Sequence, residues 1–154
     1  MPAWDLLPNE RYWKIGRPHG GLIGSGEELK YASMMTSRGC PFKCSFCQEG
    51  KDYFNKICKY SVERVTADLE YIAKRAKVPN LCIVDSNFGM YKQDMETAKE
   101  IANIQKNYNY PISVDAPARK NMPKRIISIA SIIKGWSMGG VIQSSDPDVL
   151  KAIR

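Results

Sequence analysis

Leu81-Cys82-Ile83-Val84 runs straight into Asp85-Ser86-Asn87-Phe88-Gly89. Four apolar residues in a row, without the alternation of a half-exposed strand, fit a strand buried on both faces of a parallel sheet. The chain turns polar where that strand ends. Upstream, Ser61 stands as an N-cap, Glu63 lies in the first turn, and Val62, Val65, Leu69, Ile72 and Ala76 recur at steps of three and four. That spacing makes one face of a helix, which Pro79-Asn80 ends. Downstream, Met95, Ala98, Ile101, Ala102 and Gln105 predict a second helix from Gln93 to Lys106, stopped before Pro111. Ile112-Ser113-Val114-Asp115 follows as the next strand.

The same alternation extends both ways. Tyr31 to Ser37 reads as an earlier strand ending at Arg38-Gly39, and residues 1–30, rich in Pro and Gly, read as a lead-in segment. A third helix starts at Pro123, a favourable first-turn proline, and continues through Ile126, Ile127, Ile129, Ala130 and Ile133. Gly139-Gly140-Val141-Ile142-Gln143 is the expected fourth strand, and Asp146-Pro147 opens a last helix. Strand, loop and helix repeated four times is the signature of parallel βαβ units with right-handed crossovers. Chemistry in such folds gathers in loops at the carboxyl ends of the strands. Here those loops hold a cysteine cluster, Asp85 to Gly89, Asp115 to Lys120 and Gln143 to Asp146.

Composition narrows the class. The 154 residues are 44% hydrophobic and 25% charged, close to a globular average, and exclude disordered, collagen-like and mucin-like chains. No stretch approaches the roughly 18 to 20 apolar residues that cross a bilayer. The first residues carry Asp5 and Pro8 where a signal peptide needs a basic segment and a long apolar one. The net charge of +7 is spread over Arg11 to Arg17, Lys51 to Lys59, Lys74 to Lys77 and Arg119 to Arg125, without an aromatic-interleaved stripe. It reads as a solvated surface and argues against a nucleic-acid partner.

Three of the five cysteines, Cys40, Cys44 and Cys47, form CxxxCxxC directly after the first strand. An odd count clustered in this way suits a reducing compartment and a metal better than a disulfide framework, so the expected location is the cytoplasm. Soft thiolates suit iron-sulfur clusters, zinc or copper(I). A structural zinc site wants a fourth ligand, for which Cys58 and His19 are available, neither at a zinc-finger spacing. A 4Fe-4S cluster held by three cysteines leaves one iron open to a non-protein ligand. The alternative is a non-catalytic zinc or iron-sulfur module with an acidic partner. Cys58 reads as a bystander thiol and Cys82 as core. Trp4, Trp13 and Trp136 read as packing anchors, and Asp115 with Arg119 as a surface ion pair. Asp85 and Asn87 fit either function or a cap on the next turn.

With an aromatic just before its last cysteine, the stretch from Met34 to Cys47 resembles the radical S-adenosylmethionine (radical SAM) superfamily. More narrowly, it is similar to the branch whose members carry a cobalamin-binding domain. Ala3 to Pro8, Asp85 to Gly89 and Ile142 to Arg154 fit that branch as well. The resemblance implies that Cys40, Cys44 and Cys47 ligate a 4Fe-4S cluster whose open iron chelates S-adenosylmethionine, which is cleaved reductively to a 5′-deoxyadenosyl radical. It implies Phe46 beside the adenine, Ser86 and Asn87 toward the methionine end, and Gln143 and Ser144 toward the ribose or carboxylate. No residue receives a catalytic role. The implied partners are an unassigned small-molecule substrate and an electron donor such as flavodoxin or ferredoxin, with cobalamin through a domain absent from this chain. The implied fold is α/β, a partial TIM-type barrel of parallel strands with about four of six βα units present. Residues 1–30 would then be a lead-in, and residues 31–154 a partial core that stops after the fourth strand.

Overall fold

The computed structural model describes residues 31–117, 123–139 and 143–153. The lead-in, with His19, Trp4 and Trp13, lies outside the described residues, as do Arg119 and residues 140–142.

Among the described residues, four strands make one parallel sheet: β1 (Tyr31–Met34), β4 (Asn80–Ile83), β5 (Ser113–Pro117) and β6 (Trp136–Gly139), in the order β1-β4-β5-β6. Two further strands, β2 (Ser37–Arg38) and β3 (Cys58–Lys59), pair antiparallel beside it. The helices are α1 (Val62–Arg75), α2 (Gln93–Tyr108), α3 (Pro123–Ile132) and α4 (Pro147–Ala152). The expected α/β alternation with parallel strands is therefore present.

Local chemistry explains the helix limits. Ser61 Oγ accepts from Arg64 N at 3.2 Å, which satisfies one of the free N–H groups that open α1. Val65, Leu69 and Ile72 form its buried face. At the other end of α2, Asn109 takes φ +50°, a left-handed cap that closes the helix ahead of Tyr110. Thr97, Ala98, Ile101 and Ile104 are its buried side. Asp146 accepts from the N–H groups of Asp148 and Val149, and so caps α4 as its Asp-Pro sequence predicts.

The fourth strand begins earlier than its apolar pattern indicates, at Trp136 rather than Gly139. Gly135, at φ +67°, turns the chain out of the segment after α3, and a Cβ there would sit 2.5 Å from the Ile112 carbonyl oxygen. Glycine at this point lets the strand start immediately. The first strand is also divided: pairing with β4 stops at Met34, and Ser37–Arg38 turns away to meet β3.

Register separates the sheet into two faces, because side chains alternate along each strand. Ala32, Leu81, Val114 and Trp136 stand in one row, with Met34 beside Ile83. These residues join the helices' apolar faces in a single core with Val65, Leu69, Ile101 and Ile129. Each fully buried aliphatic side chain contributes about 1.5–3 kcal/mol. The neighbouring row is Ser33, Cys82, Asp115 and Ser137, four small or polar residues from four strands. β4, in the interior of the sheet, is buried at every residue, Asn80 included, whereas Val84, the last of the expected apolar run, lies past the strand and is 41% exposed.

Candidate functional site

The carboxyl ends of β1 and β4 meet through one carboxylate. Asp85, 2% exposed, accepts from Thr36 N at 2.7 Å, from Thr36 Oγ1 at 2.5 Å and from Ser37 Oγ at 2.8 Å. Burial pushes this carboxyl above its usual range, and the Thr36 and Ser37 hydrogen bonds oppose that push. The three hydrogen bonds hold two strand ends at one place. Asp85 therefore does not cap the turn that follows it; it fixes the start of the cysteine loop.

That loop leaves β2 through Gly39, at φ +97°, where a Cβ would lie 2.6 Å from the Lys56 carbonyl oxygen and 2.8 Å from that of Phe54. Only glycine accepts both the conformation and the close approach. Cys40 N then donates to Phe54 O at 2.9 Å, and the Arg38–Cys58 register closes the base of the loop. Inside it, Cys47 N donates to Cys44 O at 3.1 Å and Gly50 N to Cys47 O at 3.0 Å. Gly50 has no room for a side chain, since a Cβ would overlap the Cys44 carbonyl. Ser45 N reaches Ile153 O at 3.4 Å, which ties the loop to the end of α4.

All three clustered thiols are free: Cys40 is buried, Cys44 half-buried and Cys47 exposed. Asn87 Nδ2 donates to Cys40 Sγ at 3.2 Å. Cys58 is an exposed thiol in β3, away from the cysteine turn in sequence, and Cys82 is buried in β4. Among the described residues, no three His, Cys, Asp or Glu side chains are gathered closely enough to hold one metal ion. A mononuclear zinc centre needs such a gathering. A multi-iron cluster does not, because each thiolate binds a different iron. Three soft, unbridged thiols on one loop, one of them already receiving an N–H donor, fit that group.

The other expected site residues fall on separate segments. Phe46 is 56% exposed, between Cys44 and Cys47. Ser86 is half-buried in the turn after β4. Gln143 is exposed, and Ser144 Oγ accepts from Asp146 N at 3.0 Å at the approach to α4. Phe88, in a segment read as polar, is wholly buried, donates its N–H to Pro117 O at 3.1 Å and meets Trp136 edge-on at 6.1 Å. Phe88 thus anchors the 85–89 segment to β5. Below it, Asp94 accepts from Tyr91 N at 2.8 Å, and burial raises its carboxyl to about 6. Arg125 of α3 donates to the carbonyls of Gly89 and Met90.

Sequence reasoning did not find Thr36, Ser37 or Gly50. The signal for the first two was a pair of hydroxyls just past a strand and only a few residues before a cysteine cluster. Gly50 carries no local signal, because what requires it is the Cys44 backbone folding back across it.

The Radical SAM superfamily profile matches residues 34–154. The chain is 35% identical over 129 residues to a cobalamin-dependent radical SAM methyltransferase, TokK, of Streptomyces tokunonensis, spanning 80% of this chain and 18% of that protein. It is 31% identical, with the same two coverages, to the 2-(S-pantetheinyl)-carbapenam-3-carboxylate methyltransferase of Streptantibioticus cattleyicolor. Its fold is similar to that of the radical S-adenosylmethionine methyltransferase TsrM from Kitasatospora setae, solved with cobalamin and a 4Fe-4S cluster bound. That match has a TM-score of 0.64 at 15% identity, and covers 80% of this chain and 24% of that one. The chain thus spans less than a quarter of the length of each of these proteins.

Proposed function

Because this chain belongs to the radical SAM superfamily, we propose that Cys40, Cys44 and Cys47 hold a 4Fe-4S cluster that works with S-adenosylmethionine. The observation that carries the reading is the cysteine loop itself: three free thiols on a turn fixed by Gly39, Gly50 and the Asp85 carboxylate. Bound there, such a cluster would supply the electron for reductive cleavage of the sulfonium bond of S-adenosylmethionine.

The chain's own residues prepare that site. Asp85 holds the loop's origin while Thr36 and Ser37 hold Asp85. Phe46 offers an exposed ring on which a flat adenine would bury apolar area from both partners. Ser144 already accepts through its oxygen, so its O–H remains to donate to a ribose or carboxylate oxygen. Gln143 beside it and Ser86 after β4 complete the polar side proposed for S-adenosylmethionine. The segment from residue 31 onward serves as part of the radical SAM core, and residues 1–30 lead into it.

For the whole protein, the names of its relatives support methyl transfer with cobalamin as a second cofactor; no residue here is assigned to hold cobalamin. The proposed reductant is a flavodoxin or ferredoxin in the cytoplasm, and the substrate a small molecule. Among the described residues, no helix is long and apolar enough to cross a membrane.

The test is anaerobic reconstitution with iron and sulfide, expected to give about four of each per chain. A whole protein carrying this loop should then form 5′-deoxyadenosine from S-adenosylmethionine under a strong reductant. One zinc and no iron in chain purified without oxygen would overturn the reading.

A further inference from the structure

We propose that Asn87 is a positioning residue that sets the reduction potential of the cluster through its hydrogen bond to Cys40 Sγ. This rests on the cluster reading above, and it gives Asn87 a different task from the contact with the methionine end that the resemblance implies.

The geometry is specific about direction. A thiolate accepts and does not donate, so the NH2 end of the Asn87 amide is the end that faces it, at 3.2 Å. That distance is well inside the range of an N–H to sulfur contact. Cys40 is the buried member of the three cysteines, where water competes least for its sulfur. A donor there withdraws charge from the thiolate and so favours the more negative, reduced state of whatever iron the sulfur binds. Hydrogen bonds to the sulfurs are among the protein's main means of setting a cluster's potential.

The backbone that carries the amide is also held in place. Two residues earlier, the Asp85 carboxylate is locked to Thr36 and Ser37; one residue later, Phe88 is wholly buried and hydrogen-bonded to Pro117. Asn87's own carbonyl accepts from Met90 N at 3.2 Å. Backbone fixed on both sides keeps the amide within reach of the sulfur, so the interaction survives in both redox states.

The experiment uses the full chain, reconstituted anaerobically, with EPR-monitored redox titration in the absence of S-adenosylmethionine. Asn87→Leu keeps the approximate shape without a donor, and Asn87→Asp keeps the shape while adding charge. Both are expected to shift the midpoint to lower potential, Asp further than Leu. Wild-type midpoints in either loaded variant would overturn the inference, and a loss of S-adenosylmethionine affinity with an unmoved midpoint would return Asn87 to the methionine end. A second readout needs no variant: pulsed EPR of the reduced wild-type chain carrying 15N in its asparagine side chains should show a weak nitrogen coupling, and its absence would overturn the inference. A wild-type chain that holds no cluster removes the cluster reading as well; a loaded chain with an indifferent midpoint removes this inference alone.

Discussion

Asp85 and Thr36, 49 residues apart in sequence, share two hydrogen bonds at 2.7 and 2.5 Å inside the protein, backbone N–H to Oδ1 and hydroxyl to Oδ2. Such a pairing joins the ends of neighbouring strands and sets where the cysteine loop begins. Removing the carboxylate leaves a buried N–H and two hydroxyls without their acceptor, and each such group costs about 1–3 kcal/mol. Asp85→Ala is therefore expected to lower stability by about 3 kcal/mol, read as a fall in the urea midpoint, and to reduce iron uptake. Thr36→Val removes one hydroxyl only, so its loss should be near 1 kcal/mol.

The three loop cysteines and Cys58 should separate cleanly in iron content. Cys44→Ala is expected to reduce bound iron after reconstitution to background, whereas Cys58→Ala should load like the wild type, since its exposed thiol sits in β3 opposite Arg38. Equal iron loss in both variants would mean that Cys58 is a fourth ligand.

Gly50 makes a sharper test of the loop's shape than any cysteine, because it donates no ligand. A Cβ at this position would overlap the Cys44 carbonyl, so Gly50→Ala has to displace the Cys44 backbone. The expected result is a cluster content at most about a tenth of wild type with an unfolding free energy, from urea titration, changed by under about 1 kcal/mol, since the loop is exposed and contributes little to the core. Full loading of Gly50→Ala would show that the turn tolerates displacement.

Much of this arrangement was legible in the sequence wherever neighbours along the chain decide the outcome. The α1 face of Val65, Leu69 and Ile72, its Ser61 cap and the Asp146 cap of α4 are local patterns with local causes. Parallel order follows from the alternation of such elements. What escaped notice depends on residues distant in sequence: the two-residue β2 and β3 are too short to show a period, and Asp85 looks like a turn cap until Thr36 is seen across from it. Asn87 is similar, a turn asparagine whose amide happens to face Cys40. Gly135 is the exception, a local glycine signal that would have placed the start of β6 at Trp136.

Asp94 predicts how stability changes with pH. Burial lifts its carboxyl from 3.8 to about 6, against the opposing hydrogen bonds from the Tyr91 and Gly89 backbone. The folded chain thus holds a proton that the unfolded chain gives up more readily. The stability this contributes is full below about pH 4 and is lost as pH rises through about 6, by a few kcal/mol at most, at about 1.4 kcal/mol per pKa unit. Asp85 is displaced in the same direction, so its slope adds to that of Asp94. The urea midpoint of the wild type should fall between about pH 4 and pH 6 and level off above that. In Asp94→Asn, whose side-chain oxygen can still accept from Tyr91 N, the fall should shrink to the part due to Asp85. An equally steep fall in that variant would place the titrating group elsewhere.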